Sequence, residues 1–167
     1  MTDAALPELP HGRFEGREAF RQALRDALAH AAHAGWRELI LADVDFRDWP
    51  LGERAVVEAL QQWARSHRRI TLLALDYDGL VREQPRFVHW RVRWEHIVTC
   101  RKAQTSDPLA LPSALWSPHW VLARIDARRC TMVAGDEPDR RLLLRQQLQE
   151  WLEHRSTPGF PSSVLGL

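Results

Sequence analysis

Two short, nearly unbroken apolar runs constrain this chain more than anything else in it. One is the end of WRELILA, from Trp36 to Ala42, and the other is ITLLAL, from Ile70 to Leu75. Strands that do not alternate apolar with polar are covered on both faces. Around the runs, apolar residues recur at helical spacing: Phe20, Leu24, Ala27, Leu28 and Ala31 before the first, and Val56, Leu60, Trp63 and Ala64 between the two. Helix and buried strand in alternation predict an α/β domain with a mixed, mainly parallel sheet and helices on both faces.

The rest of the chain extends this pattern. Gly35 stands where a helix end wants positive φ, and Asp48, Trp49 and Pro50 read as the entry to a second helix. Asp76, Asp78 and Gly79 make a turn. Pro85 opens a helix with Phe87, Trp90, Trp94 and Ile97 on one side, and Ile97 to Cys100 passes into another strand. Residues 103–118 hold three prolines and little periodicity, which predicts a loop. His119 to Ile125 and Cys130 to Ala134 flank a short turn and predict a β-hairpin. Leu144, Leu148, Trp151 and Leu152 mark a last helix entered at Pro138 or capped by Asp136. The expected organisation is a flexible leader over 1–14, a domain over 15–155, and an apolar tail over 156–167 docked on the domain or on a partner.

Composition narrows the function classes. The chain has 167 residues and a formal charge of +1, with 23 basic and 22 acidic side chains interspersed, so no global field draws in nucleic acid or membrane. No run of 18 apolar residues spans a bilayer. The opening MTDAALPELPHGRFEG is acidic and proline-bearing, unlike a secretion signal, and predicts a cytoplasmic protein. Cys100 and Cys130 lie alone in apolar runs, as buried thiols do, with no metal-binding spacing. Lys102 is the only lysine.

The segment His119 to Asp139, HWVLARIDARRCTMVAGDEPD, resembles one half of the phospholipase-D-like superfamily, in which a strand carries His-x-Lys-x4-Asp before a hairpin and a Gly-containing turn. His119 matches the histidine, Asp126 the aspartate, and Gly135 lies near the turn. Val121 stands where the lysine belongs. Strand alternation would put positions 119 and 121 on one face, where the family's histidine attacks phosphorus and its lysine neutralises phosphate oxygens. Valine does neither. His67 and His89 each have an arginine two residues on, but Ala74 and His96 occupy the aspartate positions, so no second motif exists. The DVDFRDWPL stretch, the helix after Pro85, the strand near Cys100 and the closing Trp-containing helix resemble an uncharacterised bacterial family of such domains. Members are sometimes joined to N-acetyltransferases and lack the catalytic motif. The resemblance implies a single half domain with no catalytic residues and no cofactor, working as a binding or assembly module. Its expected partner is a second copy or another protein, through the tail from Phe160 and the edge near His119.

A rival reading comes from LLALDYDGLV, which resembles the nucleophile motif of haloacid-dehalogenase-like phosphatases. The resemblance implies Asp76 as nucleophile, Asp78 as acid/base and Mg²⁺ between them and the phosphate. Thr99, Lys102 and Asp136 would then serve as its later motifs. Leu80 replaces the usual threonine, and a turn after a buried strand explains the two aspartates equally. Asp43, Asp45, Asp76 and Asp78 would meet at one sheet end if their strands are parallel neighbours. Such carboxylates more commonly cap helices than bind metal. Arg86 to Lys102 carries Arg86, Arg91, Arg93, Arg101 and Lys102 around Trp90 and Trp94, and marks Arg91 and Arg93 as binding residues. The single helical face shared by its aromatics says core, which argues against nucleic acid.

Overall fold

A computed structural model of the chain describes residues 5–161. The elements in order are β1 (Gly12–Glu15), α1 (Arg17–Ala34), β2 (Glu38–Ala42), α2 (Arg54–Trp63), β3 (Arg69–Ala74), α3 (Asp78–Glu83), α4 (Pro85–Arg93), β4 (Val98–Ala103), β5 (Ala114–Trp116), β6 (Val121–Asp126), β7 (Thr131–Gly135), α5 (Pro138–His154) and β8 (Ser156–Pro158). They form one sheet in the order β1-β7-β6-β5-β2-β3-β4-β8. The α/β class and the mixed sheet agree with the sequence reading. The balance inside the sheet is reversed: β2, β3 and β4 run parallel to one another, while the five other pairings are antiparallel. The reason lies in β5, three residues hidden among prolines, which pairs antiparallel with β2 and hands the sheet on to the β6–β7 hairpin.

Alternate strand residues feed two cores. Leu39, Leu41, Ile70, Leu72, Leu122 and Met132 face α1, α2, α3 and α4 through Phe20, Leu24, Leu60, Trp63, Leu80 and Phe87. Ile40, Ala42, Leu73, Trp116 and Val121 face α5 through Leu144, Leu148 and Trp151. Both faces are covered, which is why β2 and β3 read as continuous apolar runs. Gly35 ends α1 at φ 69, as its position predicts.

Two expectations need correction. The leader does not stay loose through residue 14, because Gly12–Glu15 pair with β7, Pro10 O accepts from Trp120 Nε1 (3.0 Å) and Pro7 O lies 2.6 Å from His30 Nε2. The chain after Asp48 does not enter a helix; α2 starts at Arg54, and residues 46–53 form a packed loop. Within that loop Phe46 sits at φ 60, its amide held by the Asp43 carboxylate at 2.9 Å and its ring against Trp49. Beyond α5, residues 156–158 form β8 on β4. Phe160 stacks on Tyr77, whereas Val164, Leu165 and Leu167 lie outside the described residues.

Candidate functional site

The three motif positions on the β6 hairpin are not brought together. His119 lies in the bend before β6, exposed, with its amide on Ser117 Oγ (3.2 Å) and its ring stacked on Trp36 at 5.7 Å and 29°. The bend forms because Ser117 Oγ accepts from the amides of both His119 and Trp120 while donating to Trp120 O. Strand alternation therefore starts at Trp120, not at His119. Trp120, Leu122 and the Arg124 side chain face the α1 side; Val121 points the other way, 2% exposed, into the apolar cluster under α5. The shared face that 119-x-121 spacing predicts is absent. Asp126 accepts the amides of Arg128 and Arg129 at 3.0 and 3.1 Å, which fixes the hairpin turn. Among the described residues the His119 imidazole enters no hydrogen bond or ion pair. Arg141, reaching from α5 to the same bend, donates to the carbonyls of Pro118 and Asp136.

The strand-end aspartates also find protein partners. Asp43 leaves β2 and is buried. Its Oδ1 accepts from Ser113 Oγ at 2.7 Å and from Arg124 at 3.0 Å, and its Oδ2 accepts the Phe46 amide. The side chains of Arg124 and Asp43 are 5% and 4% exposed. Arg124 also reaches Asp48 (3.1 Å) and lies over the Phe20 ring. Burial alone would lower the guanidinium pKa, but the carboxylates of Asp43 and Asp48 outweigh it and raise it. Sequence reading missed Arg124 and Ser113: an arginine on a strand and a serine in a proline-rich loop carry no local signal of a shared partner 70 to 81 residues away.

Asp76 and Asp78 are exposed after β3, and Asp76 Oδ1 takes the Asp78 amide at 2.7 Å, so Asp76 serves as a turn residue at the start of α3. Thr99 and Lys102 lie on the single strand β4, and so they do not come from separate strand ends as the phosphatase pattern needs. Among the described residues no cluster of three or more His, Cys, Asp or Glu is placed to hold a metal ion.

The basic segment divides. Arg93 is exposed. Arg91 is not available: it is 5% exposed, donates to Cys100 Sγ (3.3 Å) and to the carbonyls of Phe160 and Pro161, and lies 3.9 Å from the Phe160 ring centroid. It anchors the tail. Burial pushes the Cys100 thiol up against the opposing pull of Arg91, and burial likewise raises the Tyr77 phenol.

No protein-family model and no curated protein matches the chain. Solved structures share its fold. The archaeal chromatin protein TrmBL2, whose structure shows a novel mode of DNA binding, aligns with a TM-score of 0.60 at 15% identity over 86% of this chain and 52% of its own. NucT from Helicobacter pylori gives 0.58 at 10% identity over 89% and 97%. Phosphatidylserine synthase from Haemophilus influenzae Rd KW20 gives 0.54 at 10% identity over 88% and 38%. The chain thus spans nearly all of NucT, about half of TrmBL2 and well under half of the synthase. No helix among the described residues is long and apolar enough to cross a membrane. The fold is an α/β one shared with NucT and the synthase, built as one mixed sheet of eight strands with helices on both faces.

Proposed function

We propose that the chain is a non-catalytic phospholipase-D-like domain that works as a binding or assembly module in the cytoplasm. It would then be akin to the bacterial domains sometimes joined to N-acetyltransferases. The observation that carries this reading is Val121, which fills the lysine position with an aliphatic side chain buried in the apolar cluster under α5. Phosphoryl transfer needs a cation where charge develops, and losing one such contact commonly costs about 10²- to 10³-fold in rate. His119, stacked outside the strand, adds to the case. A homodimer is the assembly we infer. Ile125 and Leu143, 56% and 69% exposed, border one cleft with Val121 and Leu144, and they supply apolar surface for a second copy.

Turnover tests the reading. Bis(p-nitrophenyl) phosphate and p-nitrophenyl phosphate, each with Mg²⁺ or with EDTA, should be hydrolysed no faster than in buffer. Diesterase activity lost in His119→Ala would overturn the proposal, and so would Mg²⁺-dependent monoesterase activity lost in Asp76→Asn. Sedimentation that finds a monomer at micromolar concentration would remove the dimer.

A further inference from the structure

A groove of about 340 Å³ runs between α2 and α4, on the helix-rich face and away from the β6 hairpin. From α4 it receives Arg86, His89, Trp90 and Arg93, spaced i, i+3, i+4 and i+7, which is one stripe of a helix. From α2 it receives Arg54, the first helical residue, and Glu58 one turn on. Arg54, Arg86 and Arg93 are exposed, and among the described residues none of them enters an ion pair. Among the described residues their one hydrogen bond is a long contact from Arg86 to Gly52 O at 3.4 Å. Three guanidiniums therefore face one carboxylate, and the stripe is basic although the whole chain is near neutral.

Trp90 lines the groove but is 2% exposed and belongs to the core under α4. A further observation points to a ligand. At the Arg93 end lies half-buried Trp94, held by Gln61 Oε1 at 3.0 Å and beside the His96 ring at 5.5 Å, an aromatic surface next to cations.

We infer that the α2–α4 groove binds the phosphodiester backbone of a nucleic-acid strand. This deepens the binding-module reading by naming its ligand. The stripe from Arg86 to Arg93 covers about 10 Å of helix axis, too long for one phosphate group and suited to successive ones. Guanidinium forks match phosphate oxygens two at a time, and an aromatic at the end of the row offers a face for a base. The sequence-based argument against nucleic acid rested on the aromatics of α4 sharing one helical face; it could not count Arg54, which lies more than 30 residues before α4 in the chain and joins Arg86 and Arg93 only in the fold.

Fluorescence anisotropy with a labelled 20-nucleotide single-stranded DNA tests this on the full chain at 50, 100 and 200 mM salt. Affinity should fall steeply with salt. Arg86→Gln with Arg93→Gln should weaken binding at least tenfold and flatten the log–log salt slope by about 1.4, at roughly 0.7 per lost single-strand contact. Arg54→Gln should act in the same direction. Arg128→Gln with Arg129→Gln, at the distant hairpin turn, should change affinity less than twofold. All of these positions are exposed, and circular dichroism will confirm folding. Absence of binding at 50 mM salt overturns the inference. So does binding that the groove variants leave intact, or that the hairpin variant weakens equally. Displacement by poly-glutamate at equal charge concentration would replace the nucleic acid with an acidic peptide. None of these results touches the turnover assay, so the two readings fail separately.

Discussion

The Arg124 guanidinium lies 3.0 Å from the Asp43 carboxylate, and both side chains are almost wholly shut off from water. The pair joins the hairpin strand β6 to the exit of the parallel strand β2. With β5 in between, it braces the antiparallel half of the sheet against the parallel half, while Ser113 and Asp48 satisfy the remaining lone pairs and protons.

Removing one member should strand the other charge. Arg124→Met is expected to cost about 3–5 kcal/mol in urea unfolding, whereas Arg124→Met combined with Asp43→Asn should recover much of that loss. A single-variant cost below about 1 kcal/mol would show that solvent reaches the pair.

A lysine at position 121 should not create chemistry. Val121→Lys puts an ammonium into the cluster of Ile40, Trp116 and Leu144. The cost should be roughly 3 kcal/mol or more, a fall in Tm of about 6–12 °C for a chain of this size. Differential scanning calorimetry measures this. An unchanged Tm with new diesterase activity would mean that the side chain can turn into an open cleft.

Glu53 sets part of the acid response. Hydrogen bonding from Arg25, then from Arg21, holds its carboxyl below the ordinary glutamate range. A carboxyl whose folded pKa is depressed stabilises fully above its unfolded value, near 4.3, and loses that contribution as pH falls through the folded value. Glu53 is about a third exposed and Arg25 about a quarter, so the amplitude stays below about 1 kcal/mol. Glu53→Gln should lower stability at pH 7 and show a shallower decline below pH 4.3. An unchanged acid limb would assign that decline to other carboxylates.

The tail guards a thiol. Cys100 is buried behind Arg91, and Arg91 lies under Phe160. Phe160→Ala removes the cation–π contact and the Tyr77 stack, worth about 1–2 kcal/mol together. In a Cys130→Ser background, labelling of Cys100 by a disulfide reagent should accelerate roughly tenfold. Equal rates would show that β8 alone seals the site.

What the sequence reveals follows from where the physics is local. Leu39 to Ala42 and Ile70 to Ala74 are legible as strands because their apolar runs record burial on both faces. Gly35 and Pro85 are legible because each satisfies a backbone demand of its own helix end. β5 is not legible: Ala114, Leu115 and Trp116 are too few to display a period, and their pairing depends on β2 and β6. His119 and Val121 read as neighbours on one strand face, yet the Ser117 hydroxyl bends the chain one residue too early for that. Arg91 reads as a surface cation because its burial is created by Phe160 and Pro161, about 70 residues on. The groove arginines were half visible, Arg86 and Arg93 by helical spacing and Arg54 only once α2 lies beside α4.

The outermost strands are the first and last of the sheet, and both are stubs. β1 is four residues long, charged at Arg13 and Glu15, and bounded by Gly12 and Gly16 at positive φ; β8 is three residues long and ends in Pro158. Among the described residues neither rim strand offers the long row of free amides and carbonyls onto which another molecule's strand could zip. Strand-by-strand addition is thereby discouraged at both described rims, which present side chains rather than free backbone.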